Sequence, residues 1–97
     1  PEEIKLSFKK LKNSNYLIIA KVIDKNGRQC TDYNKRVYFS AEGSGKLLES
    51  YGTYTKSSVI EFSNGYAAIE YKPIPFETAV IEARNQDFKG SYINIKY

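Results

Sequence analysis

Tyr16-Leu17-Ile18-Ile19-Ala20-Lys21-Val22-Ile23, followed at once by Asp24-Lys25-Asn26-Gly27, is the stretch on which the fold turns. Its alternate residues separate into two sets. Tyr16, Ile18, Ala20 and Val22 form one face, and Leu17, Ile19, Lys21 and Ile23 form the other. A period of two is the period of a strand. Lys21 marks the second set as the more exposed, so the first set is the expected core face. Asn26-Gly27 then ends the run, because both residues tolerate the positive φ that a tight turn needs.

The same rhythm extends in both directions. Upstream, Ile4-Lys5-Leu6-Ser7-Phe8 places Ile4, Leu6 and Phe8 inward, and Lys9 to Ser14 reads as a polar turn. Downstream, the polar Arg28 to Arg36 connection leads into Val37-Tyr38-Phe39-Ser40-Ala41, with Val37, Phe39 and Ala41 inward. Glu42-Gly43-Ser44-Gly45 breaks that strand as a tight reversal. Lys46-Leu47-Leu48 is a short edge strand, and Ser50 to Ser57 is a polar, Tyr-containing loop. Ser58 to Phe62 and Tyr66 to Tyr71 read as a hairpin about Asn64-Gly65, with Ala67, Ile69 and Tyr71 inward. Pro73 and Pro75 each lack an amide donor, so residues 72–76 are expected to cross between sheets. Thr78 to Arg84 returns with Ala79, Ile81 and Ala83 inward, Asn85 to Gly90 turns, and Tyr92 to Tyr97 finishes with Ile93 and Ile95 inward.

About seven short strands with no helical period predict an all-β fold, an immunoglobulin-like antiparallel β-sandwich. One domain is expected over residues 1–97, a length able to bury a modest core. Composition agrees: nine Tyr and five Phe accompany many Ile and Val, residues that pack well on a sheet face. The chain begins with Pro1 rather than Met, which suggests a domain cut from a longer protein.

Composition also removes function classes. No apolar run is long enough to insert in a membrane. The net charge of +4 comes from 15 basic and 11 acidic residues scattered along the chain, not from the basic stripe of a nucleic-acid binder. Lys9-Lys10-Leu11-Lys12 reads as a solvated turn or strand edge. Without His, neither Cys30 nor any Ser has an activating base of the usual kind, so no catalytic residue is assigned. Cys30 is expected to be half-buried and structural. One Cys and no His leave no metal site and no cofactor is implied; Asp24 and Asp32 are expected to bind nearby backbone amides. Exposed tyrosines are the remaining candidates. Tyr33, Tyr51 and Tyr54 lie in loops, where they could contact a sugar or a neighbouring protein surface, and Tyr38, Tyr66 and Tyr92 are expected to show rings on a sheet face.

Three segments carry a family resemblance: Asp24-Lys25-Asn26-Gly27-Arg28, then Val37 to Leu48 with its Gly43-Ser44-Gly45-Lys46-Leu47-Leu48 step, then Phe62-Ser63-Asn64-Gly65-Tyr66-Ala67. In order and spacing they resemble the immunoglobulin-like accessory domain found towards the C-terminus of glycoside hydrolase family 2 enzymes, β-galactosidases among them. Bacterial Ig-like repeats of invasin- and intimin-type adhesins share similar strings. The chain departs from the pattern at Gln29-Cys30-Thr31-Asp32 and at residues 49–54. The resemblance implies a non-catalytic module of a larger, exported bacterial hydrolase, whose catalytic carboxylates lie in a separate barrel, and whose partners are other domains of the same polypeptide. An adhesin spacer and a carbohydrate-binding module remain the rival readings.

Overall fold

The alternating runs become strands whose successive side chains part between a shared interior and solvent. The computed structural model describes residues 1–48 and 52–96. Among them nine strands form: β1 (Glu3–Lys10), β2 (Tyr16–Ile23), β3 (Arg36–Gly43), β4 (Lys46–Leu48), β5 (Tyr54–Thr55), β6 (Ser57–Glu61), β7 (Tyr66–Lys72), β8 (Thr78–Asn85) and β9 (Phe88–Lys96). They build two sheets, ordered β1-β2-β7-β4-β5 and β6-β3-β8-β9, and each pairing is antiparallel.

Between the sheets lies one hydrophobic core. The first sheet contributes Ile4, Tyr16, Ile18, Ala20, Val22, Leu47, Ala67, Ile69 and Tyr71; the second contributes Val37, Phe39, Ala41, Ala79, Ile81, Ala83 and Ile95. These are the expected inward faces of β2, β3, β7 and β8. Each large side chain removed from water contributes ~1.5–3 kcal/mol, so this layer is the main driving force for the fold. Phe8 differs from expectation. It sits near the end of an edge strand with one neighbour, is 44% exposed, and lays its ring edge-on against Tyr16 at 5.5 Å.

Strand boundaries differ where polar residues pair. β1 continues through Lys9 and Lys10, which lie opposite Leu17 and Tyr16 on an exposed edge. β9 begins at Phe88, leaving only Gln86 and Asp87 to turn the chain, because the Asn85 side chain caps the turn by accepting from the Asp87 amide at 2.6 Å. Within the expected loop 50–57, Tyr54–Thr55 pairs with β4, so β4 is an inner strand and β5 the edge.

The larger correction concerns the expected hairpin. β6 and β7 do not pair as a ladder; a lone bridge, Ser63 to Tyr66, joins their ends. β6 pairs with β3 in the second sheet, while β7 pairs with β2 and β4 in the first. Asn64-Gly65 is a tight turn with φ of 55° and 75°, but it carries the chain across the sandwich. The turn is pinned from outside. Gly65 donates its amide to the Tyr33 carbonyl and accepts from the Val22 amide, both at 2.9 Å, and the Phe62 amide reaches the Lys35 carbonyl at 2.7 Å.

Five connections thus switch sheets. Those spanning 24–35 and 62–65 meet at one end, and those at 44–45, 56 and 73–77 meet at the other. The two Asn-Gly turns, alike in sequence, differ in surroundings. A Cβ on Gly27 (φ +80°) meets nothing, whereas a Cβ on Gly65 (φ +75°) runs into the Cys30 carbonyl. Gly27→Ala is therefore expected to cost ~1–2 kcal/mol, the backbone strain alone, and Gly65→Ala about 3 kcal/mol or more. Urea unfolding of both variants checks this; equal losses would show that the close approach at Gly65 is absent.

Candidate functional site

At the end where three crossings meet, the chain needs glycine because it has no room for anything else. A Cβ on Gly45 (φ +81°) would collide with the Tyr71 hydroxyl and the Lys72 carbonyl. The three carbonyls of the Gly43-Ser44-Gly45 reversal each find a side-chain donor. Lys56 Nζ donates to the carbonyls of Gly43 and Gly45, both at 2.7 Å, and Tyr71 Oη donates to that of Ser44 at 2.5 Å. Ser44 Oγ in turn donates to the Thr78 carbonyl at 3.1 Å, tying the reversal to the start of β8. Burial pushes the Tyr71 phenol above its ordinary value of 10.0, so it stays a donor at neutral pH.

These ties frame an open groove of about 820 Å³. It is lined by the reversal, by Tyr54 from β5, Lys46 from β4 and Lys72 from β7, and by Phe76 with Glu77 from the crossing 73–77. Lys46 and Lys72 are direct cross-strand partners, so two like charges stand side by side. Neither forms an ion pair among the described residues; Lys72 instead places its ammonium 5.1 Å from the Tyr54 ring centroid, a cation–π contact.

The crossing supplies an unusual element. Glu77 donates its amide to the Ile74 carbonyl at 3.2 Å, closing a turn with Pro75 second and Phe76 third. Phe76 has φ +66° there and is 92% exposed. That place normally belongs to glycine or asparagine. Sequence reasoning recognised the prolines but not the positive φ at Phe76; an aromatic directly after Ile-Pro in a turn was the available signal.

The tyrosines expected at a site separate. Tyr54 is 43% exposed and lines the groove. Tyr51 lies outside the described residues. Tyr33, expected on an exposed loop, is only 8% exposed. Its ring meets Phe62 edge-on at 5.3 Å and Phe88 at 5.5 Å, because the connection 24–35 folds back over the end of the core. Its hydroxyl accepts from Asn85 Nδ2 at 2.5 Å and donates to Asp87 at 3.0 Å. Tyr38, Tyr66 and Tyr92 are exposed, as expected, on their strands. Asp24 accepts from the Asn26 and Arg28 amides at 2.8 and 3.0 Å, and Cys30 is half-buried against the core.

No family model matches the chain. A protein of Formosa agariphila named "Putative beta-glucuronidase" is 44% identical over 97 residues, covering 96% of this chain and 11% of its own length. The crystal structure of Parabacteroides merdae β-glucuronidase superposes with a TM-score of 0.85 at 25% identity, over 99% of this chain and 12% of that one. A β-glucuronidase from glycoside hydrolase family 2 shares the fold at a TM-score of 0.82 and 21% identity, over 99% of this chain and 11% of that one. The chain therefore spans about a ninth of the proteins it matches.

The cluster beneath Tyr33 sets a pH dependence. Hydrogen bonds from Lys35 Nζ, at 3.0 Å, and then from Tyr33 hold the Asp87 carboxyl below its ordinary value of 3.8. A depressed carboxyl stabilises the fold above that ordinary value, and the contribution is lost as pH falls through the lower, folded one. Between about pH 5 and about pH 2, the native chain should lose urea resistance more steeply than Asp87→Asn. Parallel curves would show that Asp87 is not engaged.

Proposed function

We propose that this chain, a β-sandwich domain of glycoside hydrolase family 2 proteins, serves as a non-catalytic accessory domain of a larger β-glucuronidase-like hydrolase. The observation that carries this reading is one of proportion. Similarity runs over nearly all of this chain at 44% identity, yet over only 11% of the relative.

The residues support the same reading. Glycoside hydrolysis generally uses a pair of carboxyl groups flanking the bond to be broken. Here the carboxylates along the strands are engaged separately. Glu61 lies 3.8 Å from Arg36, Glu70 accepts from Asn13 and Asn15, and Glu82 accepts from Ser40 and lies 3.7 Å from Arg84. Glu42 is exposed on β3, and Glu49 lies outside the described residues. As partners, other domains of the same polypeptide suit the outer face of the second sheet. Tyr38 and Val59, cross-strand partners, are 50% and 48% exposed, and Tyr92 is 64% exposed on the same sheet. Exposed apolar surface of this kind marks a contact face.

The test has two arms. The isolated chain should release no aglycone from an aryl β-glucuronide, and turnover by it would overturn the reading. Deleting the chain from its full-length protein should lower the melting temperature while the remaining hydrolase keeps its chemical step; an unchanged melting temperature would remove the accessory role.

A further inference from the structure

The outer face of the second sheet carries large residues that the core beneath it does not need. Val37 and Phe39 point inward from β3, so Tyr38 between them points out, with Val59 of β6 as its cross-strand partner. Arg84 of β8 lies opposite Tyr38 on its other side, and Glu82 lies opposite Tyr92 of β9. Tyr38, Val59 and Tyr92 are each about half exposed or more. Tyr38 and Arg84 together line two recesses, one shared with Val59 and the other with Gln86. Tyrosine and arginine beside recesses are the usual anchors of a protein contact.

The charges on this face are answered within it. Glu82, whose side chain is 18% exposed, lies 3.7 Å from Arg84 and accepts from Ser40 at 3.4 Å and from the Tyr92 hydroxyl. Arg36 and Glu61, cross-strand partners, stand 3.8 Å apart. An apolar surface can cover paired charges without leaving either one orphaned, whereas a ligand rich in hydroxyls would find Glu82 already engaged. Size then selects the partner. The strands β6-β3-β8-β9 lie about 4.8 Å apart and the outward residues Arg36 to Glu42 span about 20 Å, so the face offers roughly 400 Å² a side. The resulting contact, roughly 800 Å² in all, is less than the about 1,200 Å² that two free proteins need. Domains of one chain pack over as little as about 600 Å², because the linkage supplies a high effective concentration. We infer that an apolar surface of the remaining hydrolase polypeptide seats on this face, anchored by Tyr38, Val59 and Tyr92 around the Glu82–Arg84 pair, and that the contact holds only within the one chain. This rests on the accessory-domain reading and names the surface through which such a domain acts.

Hydroxyl-radical footprinting of the full-length protein and of the isolated chain, read by mass spectrometry, tests it. Tyr38 and Tyr92 should be oxidised several-fold more slowly in the full-length protein, while Tyr66, exposed on the outer face of the other sheet, should keep its rate. Tyr38→Glu is the sharper probe, because a carboxylate opposite Arg84 suits the free face but resists cover by an apolar partner. It should leave the urea midpoint of the isolated chain unchanged and return Tyr92 of the full-length protein to the rate of the isolated chain. Equal rates for Tyr38 and Tyr92 in the two native proteins would overturn the proposal whatever the variant does. So would protection of Tyr38 in the isolated chain that grows with its concentration, since the occupant would then be a second copy. A melting temperature lowered by deleting the chain, together with unprotected tyrosines, would sink this face and leave the accessory reading standing. An unchanged melting temperature with protected tyrosines would do the reverse.

Discussion

A chain that changes sheets five times has to carry its backbone polar groups past the rim of a dry core, and each one left without a partner there costs on the order of 1–3 kcal/mol. The rest of the structure follows from how that demand is met. At the groove end, Lys56 and Tyr71 take the three carbonyls of the Gly43–Gly45 reversal, and the Ala41 amide takes the carbonyl of Lys56 itself at 2.8 Å. At the opposite end, the Tyr33 and Lys35 carbonyls accept from the Gly65 and Phe62 amides and so interlock two connections. Among the described residues, no buried side-chain polar atom lacks a hydrogen bond.

This arrangement links stability to function in a particular way. Crossings are the places where side chains can leave the alternation of a strand, and three of them lie together. Two prolines stiffen the longest, and the turn they build carries the exposed Phe76 ring. Lys56 is the whole of the connection between β5 and β6, yet it anchors a turn on another strand pair. The parts of the groove are therefore tied to one another by hydrogen bonds across several strands.

The opposite end is organised differently, around a polar cluster with an aromatic roof. Asn85 donates to both the Tyr33 hydroxyl and the Arg36 carbonyl, and its own carbonyl oxygen holds the Asp87 amide. One buried amide thus closes the β8–β9 turn and fixes the connection 24–35. Burial is the largest influence on the Tyr33 phenol, raising it above 10.0, so the cluster keeps its neutral hydroxyl over the range where the fold is otherwise stable.

Periodicity by itself determined the strand content and most of the core: the inward faces of β2, β3, β7 and β8 are those that alternation marks, because a side chain's face in a strand depends only on its position along the chain. The prolines likewise marked the β7–β8 crossing. Only tertiary structure decided which sheet each strand joined. Asn64-Gly65 signals a tight turn, but a tight turn can close a hairpin or cross a sandwich, and the choice rests on ladders with β3, β2 and β4 that are distant in sequence. Tyr33 shows the same limit, since a tyrosine in a polar loop is buried only if the loop folds over the core. The groove was legible in part through Tyr54. Lys46, Lys72 and Phe76 come from three separate segments, and what makes them a site is their proximity, which the folded chain alone creates.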